Sequence, residues 1–289
     1  MRNFNELLKN QSAENKFVCI GLDSEYQKIP NFIREKRTET EAIVAFNEGI
    51  IDETADLVCA YKPNSAFYEA LGTSGIAALK QTINYIHEVA EDVPVILDAK
   101  RGDIGNPNLG YADFAFKFLE ADAITVHPYL GSEALQPFLS RKDKGVIVLC
   151  RTSNPGAGEF QGLITKNSGI GSDEPLYLLI ARHAASRLFW NRNDNCGVVV
   201  GATYPKELQE VRRVAGNIPI LIPGVGFQQK NVPLEEQVRQ VIGAGKNSRD
   251  EGMIINSSRG IIFASSGADY AEVARKETLK LHNLINKYR

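Results

Sequence analysis

The chain has 289 residues, 43% of them hydrophobic and 24% charged, with a formal net charge of −2. That composition is ordinary for a soluble globular protein, and the length suits one α/β barrel or two smaller domains. The near-neutral balance argues against a broad nucleic-acid footprint or a polybasic membrane anchor, and no apolar run is long enough to span a bilayer.

The first residues, Met1-Arg2-Asn3-Phe4-Asn5-Glu6, lack the apolar core of a signal peptide, so the cytoplasm is the expected compartment. The first predicted strand covers 17–22 and runs into Gly21-Leu22-Asp23. A capping box, Thr38-x-x-Glu41, then opens a helix carrying Ile43, Phe46, Ile50 and Ile51. The second predicted strand, 57–61, ends in Lys62-Pro63-Asn64, and Leu79, Ile83 and Ile86 repeat at helical spacing after it.

The third predicted strand, 93–97, is the most informative. Its apolar run reads as a buried parallel strand and releases Asp98-Ala99-Lys100-Arg101-Gly102-Asp103. Side chains alternate along a strand, so Asp98 and Lys100 point the same way. Asp103 lies beyond Gly102, where the chain can turn. A lysine held between two carboxylates stays protonated, and an ammonium fixed at a barrel mouth is both proton donor and electrostatic clamp. The same residues also suit a structural salt bridge closing a strand end.

The fourth predicted strand, 123–126, leads to His127, which either faces the barrel mouth or serves as a hydrogen-bonded structural residue. The fifth, 146–149, is followed by Arg151-Thr152-Ser153 and a long stretch, 151–174, dense in Gly, Ser, Asn and Thr. Loops of that length are usually either functional or disordered, so a substrate-covering loop and a solvated insertion are the two readings. Leu176, Leu179, Ile180 and His183 form the next helical pattern.

Strands at 198–200, 218–222 and 253–255 complete a set of eight, and Leu281, Leu284 and Ile285 mark a last helix. The seventh runs into Pro223-Gly224-Val225-Gly226-Phe227-Gln228 and the eighth into Asn256-Ser257-Ser258-Arg259-Gly260. Glycines let backbone amides approach an anion, arginine offers a planar fork, and barrels commonly seat phosphate after strands seven and eight. Eight alternating β-α units with buried strands predict a single-domain (β/α)8 TIM barrel over 1–289. A doubly wound sheet is disfavoured because no Gly-x-Gly-x-x-Gly follows the first strand. Cys19, Cys59, Cys150 and Cys196 are far apart in apolar runs and the four histidines are scattered, so buried thiols and no metal site are expected.

These motifs resemble the orotidine 5′-phosphate decarboxylase family, in its longer, bacterial-type subfamily. LDAKRGDIGN around Lys100 is close to the subfamily signature. The Lys62 segment, Ser153-Asn154-Pro155-Gly156, VVGAT at 199–203 and PGVGFQ at 223–228 match as well. The resemblance implies a cofactor-independent carboxy-lyase that converts orotidine 5′-phosphate to uridine 5′-phosphate and CO2 in pyrimidine biosynthesis. It assigns Lys100 as proton donor beside Asp98, and Asp23 and Lys62 to the ribose and the charged array. Ser153 goes to the pyrimidine, and Gln228 and Arg259, with the Gly224 and Gly226 loop, to the phosphate. It also implies a homodimer in which Asp103 and Ile104 enter the neighbouring subunit's site. One departure stands out: Pro107 occupies a position where threonine is usual, which removes a hydroxyl and an amide donor.

Two rivals remain. Metal-dependent sugar-phosphate decarboxylases and aldol-type synthases share Asp-x-Lys-x-x-Asp but need a carboxylate on the second strand, where this chain has Lys62. A non-catalytic nucleotide-binding barrel would not require Lys100 with both flanking carboxylates.

Overall fold

The computed structural model describes residues 2–166, 173–226 and 231–289. Among the described residues ten strands run in chain order: β1 (Val18–Ile20), β2 (Val58–Tyr61), β3 (Ile96–Arg101), β4 (Ala123–Val126), β5 (Gly145–Arg151), β6 (Ile164–Thr165), β7 (Glu174–Pro175), β8 (Cys196–Val200), β9 (Ile220–Pro223) and β10 (Met253–Ser257). Eight of them form one parallel sheet in the order β2-β1-β10-β9-β8-β5-β4-β3. Parallel bridges from Tyr61 to Val95 and from Asn64 to Asp98 join its two edges, with Tyr61 N–H donating to Pro94 and Asp98 N–H to Pro63. The sheet is therefore a closed eight-stranded barrel wrapped by helices, as the alternating apolar runs predict.

Period-two alternation divides the side chains into two cores. Leu97, Ile124, Val148, Ile222 and Ile255 face outward against the helices. Cys19, Ala60, Ile96, Ala123, Ile147, Val199, Leu221 and Ile254 fill the interior together with Phe4. Phe4 belongs to a helix not foreseen in the sequence, Phe4–Ala13, which is capped by the Asn3 side chain and plugs the lower mouth. Gly145 is required there, because a Cβ would collide with the Phe4 ring. All four cysteines are buried and free. Among the described residues no helix is long and apolar enough to cross a membrane.

The 151–174 stretch is not a plain loop. Its described part contains a 3-10 turn (Pro155–Ala157), a helical turn (Gly158–Gln161) and an antiparallel ladder of β6 with β7. Residues 167–172 lie outside the described residues.

Candidate active site

Carrying the inward alternation one step further up each strand sets Lys62, Asp98, Thr125, Leu149 and Asn256 at the upper mouth of the barrel. A cavity of about 450 Å³ opens there, with Leu149, Val199 and Leu221 as its apolar lining and Asp23, Lys62, Asp98 and Lys100 among its polar groups.

Asp98 is the hub. Its Oδ2 accepts from Lys62 Nζ at 2.9 Å, and its Oδ1 from Lys100 Nζ at 2.7 Å and from the Thr125 hydroxyl at 2.8 Å. Burial alone would raise the Asp98 pKa, but the Lys62 and Lys100 charges outweigh it and hold the carboxyl well below the usual range. Burial would likewise lower that of Lys62, and the Asp98 and Asp23 charges reverse this and raise it. Both ions of the Lys62–Asp98 pair are therefore fixed in their charged forms. Asp23 Oδ1 is buried without a hydrogen-bond partner beside this array, so it is an acceptor presented to whatever enters.

Lys100 reaches the mouth through a backbone distortion. It has φ +47°, in the left-handed region, which costs a non-glycine residue roughly 1–2 kcal/mol. The ladder is broken at the same point. Leu97 pairs with Ile124 and Arg101 with Val126, so four steps along β3 oppose two along β4. The expected strand end at residue 97 is thus replaced by a bulged continuation through Lys100, and such bulges re-aim side chains at barrel rims.

Asp103 does not join this cluster within the chain. It does not line the cavity, and among the described residues the carboxylate paired with Lys100 is that of Asp98. Instead, Asp103 Oδ1 accepts from Ile104 N–H at 2.7 Å, while the fully buried Asn108 braces the turn. Asn108 Oδ1 accepts from Asp103 N–H at 2.9 Å, and its Nδ2 donates to Ala134 O at 2.6 Å and to Asp103 O. A lysine held between two carboxylates of its own chain is therefore not what the structure shows. Pro107 is exposed in the first turn of the helix Gly105–Asp113, where amides have no intrahelical acceptor, so proline is tolerated. Ile104 is 60% exposed.

The far side of the cavity is lined by Ser153, Gly224, Ser257, Ser258 and Arg259. Gly224 (φ 100°) turns the chain after β9. Gly226, also expected here, does not line the cavity, and its amide donates to Gln237 Oε1 at 3.0 Å. Gln228 lies outside the described residues. Gly21 lets the end of β1 pass the Ser258 side chain, which any Cβ would strike.

Asn64, Asn154, Gln161 and Asn256 line the cavity but were not singled out as site residues in the sequence. Asn64, Asn154 and Asn256 lie in strand-end segments that were recognised, so position alone pointed to them. Gln161 carried no such signal; it returns from the inserted segment, accepting from Thr152 N–H and donating to Thr152 Oγ1, both at 2.9 Å. His127 is a structural residue, with its ring against Gly102 O at 3.2 Å and outside the cavity.

The sequence matches the model of the "Orotidine 5′-phosphate decarboxylase / HUMPS family" over residues 16–275. The chain belongs to this family. A Herpetosiphon aurantiacus protein named orotidine 5′-phosphate decarboxylase is 48% identical over 90% of this chain and 88% of its own. A Cellvibrio japonicus protein of the same name is 44% identical over 98% of both chains. The solved Leishmania donovani OMP decarboxylase superposes with a TM-score of 0.79 at 37% identity, over 98% of this chain and 99% of its own. The chain is accordingly an enzyme of the carboxy-lyase class, in the decarboxylase branch of its family, and neither rival reading is favoured.

Proposed function

We propose that the upper cavity decarboxylates orotidine 5′-phosphate without metal or organic cofactor, using Lys100 as proton donor and the Asp98–Lys62 pair to hold it. The observation that carries this reading is the three-way contact of Lys62, Asp98 and Lys100 at the edge of an apolar-floored cavity. The C6–carboxylate bond of orotate breaks, CO2 leaves, and the electron pair stays on C6. That carbanion has no neighbouring group to delocalise it, so a preorganised ammonium must stabilise the charge as it forms. Lys100 Nζ then gives its proton to C6, uridine 5′-phosphate is complete, and the neutral amine regains a proton from solvent.

Asp23, with an unpartnered buried oxygen, accepts from the ribose hydroxyls, and Lys62 lies beside it. Ser153 hydrogen-bonds the pyrimidine. Arg259, with the Gly224 turn and, by resemblance, Gly226 and Gln228, takes the phosphate. The phosphate is remote from the reacting bond, so its binding energy positions the ring. The metal-dependent rival needs a second-strand carboxylate where Lys62 stands, already bonded to Asp98. Among the described residues no three His, Cys, Asp or Glu side chains gather as a metal site.

The working unit in this reading is a cytoplasmic homodimer with shared sites. Support comes from Asp103, which stands outside its own cavity on a braced turn. It also comes from the exposed Ile104, Leu109, Tyr111, Tyr129 and Leu130 on the adjacent segments after β3 and β4. Exposed large apolar side chains of this kind suit an association surface.

The direct test follows the absorbance of orotidine 5′-phosphate after exhaustive chelation. Unchanged turnover is expected. Activity that vanishes on chelation and returns with a divalent metal would favour the sugar-phosphate rival.

A further inference from the structure

We propose that Thr125 is a positioning residue for the decarboxylation, holding the distorted Lys100 backbone and the Asp98 carboxylate in one fixed relation. The inference rests on the reading of Lys100 as proton donor and adds a residue that neither the motif nor the cavity lining contains.

Thr125 is 1% exposed and lies opposite the break in the β3–β4 ladder. Its Oγ1 accepts from Lys100 N–H at 3.0 Å and donates to Asp98 Oδ1 at 2.8 Å. The direction of both bonds is fixed by chemistry, since an amide can only donate and an ionised carboxylate only accept. One hydroxyl thus replaces the carbonyl that the bulge takes away from the Lys100 amide, and ties that amide to the acceptor gripped by the Lys100 ammonium. The loop runs Lys100 N–H, Thr125 Oγ1, Asp98 Oδ1, Lys100 Nζ, so backbone and side chain of the donor are referred to the same two atoms. Lys62 holds the other oxygen, Oδ2, and the carboxylate plane cannot rotate without breaking one of the three contacts.

A residue that supported the fold alone would need only shape at this position, and valine supplies that shape. The proposal requires the hydroxyl. The experiment compares Thr125→Val, Thr125→Ser and Lys100→Ala, measuring kcat, KM, uridine 5′-phosphate affinity, the thermal midpoint and exchange of the C6 hydrogen of uridine 5′-phosphate with deuterium. That exchange reads proton removal by the Lys100 amine, the reverse of the donation step. Small displacements of a reacting group cost up to about 100-fold in rate. Thr125→Val is expected to lower kcat and C6 exchange together by about 10- to 100-fold, with KM and product affinity within threefold of the parent. Thr125→Ser should recover to within threefold.

A folded Thr125→Val with kcat within twofold of the parent overturns the proposal. So does a serine variant as impaired as the valine one, or a fall in kcat matched by an equal loss of product affinity. Should the valine variant not fold, Thr125→Ala, with room for a water, takes its place under the same criteria. Turnover surviving in Lys100→Ala is a different failure, because it removes the proton-donor reading itself.

Discussion

Asp98 and Asp122 lie near opposite mouths of one barrel, and each is a buried carboxylate met by basic side chains. At the lower mouth Asp122 is complete. Arg2 binds it through Nε to Oδ1 and Nη2 to Oδ2, both at 2.9 Å, and Val95 N–H adds a third bond at 2.9 Å. His87 Nε2 stands at 3.6 Å, beyond hydrogen-bond length. Arg2 spends further donors on the carbonyls of Glu91 and Val93, and the Asp122 side chain is wholly inaccessible. At the upper mouth Asp98 is as tightly held, yet Lys100 is nearly half exposed and Asp23 Oδ1 lacks a partner. The same chemistry gives, at the lower mouth, a carboxylate whose two oxygens are both bonded within the protein and, at the upper mouth, a site where Asp23 Oδ1 and the half-exposed Lys100 ammonium are left for a ligand. In barrels generally, charge at the lower face serves stability and charge at the upper face serves catalysis.

The sharpest way to break this comparison is Lys100→Ala. Removing a donor aimed at developing charge typically costs about 100- to 1,000-fold in kcat, and losing the proton source as well should take the fall further. Thermal stability should hardly change. Near-normal turnover in the folded variant would make the upper cluster as purely structural as the lower one.

Next in size is the complementation of Lys100→Ala by Asp103→Ala, each nearly inactive alone. If Asp103 serves the partner's site, a mixed dimer holds one site with both lesions and one with neither, so about half of its sites should work. Failure to recover activity after verified subunit exchange would return Asp103 to its own chain.

Asp122→Asn tests the other half. Burial alone would raise the Asp122 pKa, but His87 and Arg2 bring it down to about 2. A depressed carboxylate contributes stability above its unfolded value near 3.9, and that contribution is lost as pH falls through the folded value. Applied to this shift, linkage gives roughly 2–3 kcal/mol at neutral pH. Urea unfolding should show Asp122→Asn less stable by roughly that amount at pH 7 and the difference shrinking towards pH 2. Turnover per folded molecule should stay at the parent level, and a large drop in it would couple the two mouths.

The smallest effect is expected from Pro107→Thr. In the shared-site reading it restores a hydroxyl near the partner's ribose, so KM should fall by a few-fold with kcat unchanged. An unchanged KM would mean that another residue already makes the contact.

Much of this was legible in the chain. All eight barrel strands were, because a parallel strand covered on both faces is a nearly continuous apolar run such as Ala123–Val126 or Cys196–Val200. Asp98 and Lys62 were legible because the alternation fixes their face once the strands are placed; Lys100 was legible as a charge at the strand end, but the bulge that aims it was not. The plugging helix was harder. Phe4, Leu7 and Gln11 are its buried residues, and a face that includes a glutamine carries little apolar signal. Thr125 was invisible for a different reason: inside Ala-Ile-Thr-Val it reads as an ordinary β-branched strand residue. Asn108 lies in a short helix, Gly105–Asp113, whose apolar residues do not define a buried face, so nothing in the sequence marks it as buried.

By itself the sequence determined what is local: which runs are buried strands, how many there are, and which charged side chains stand at their ends. Backbone periodicity and side-chain chemistry act over a few residues, so they can be read along the chain. Only the tertiary structure decided the rest. Closing the barrel brought β3 against β4 out of register, left the Lys100 amide without a strand carbonyl, and offered it the Thr125 hydroxyl 25 positions away. It also carried Arg2 under the barrel to Asp122, 120 positions on. Such pairings are set by the geometry of closure and by the demand that every buried polar group find a partner, and that demand is met in space rather than in sequence.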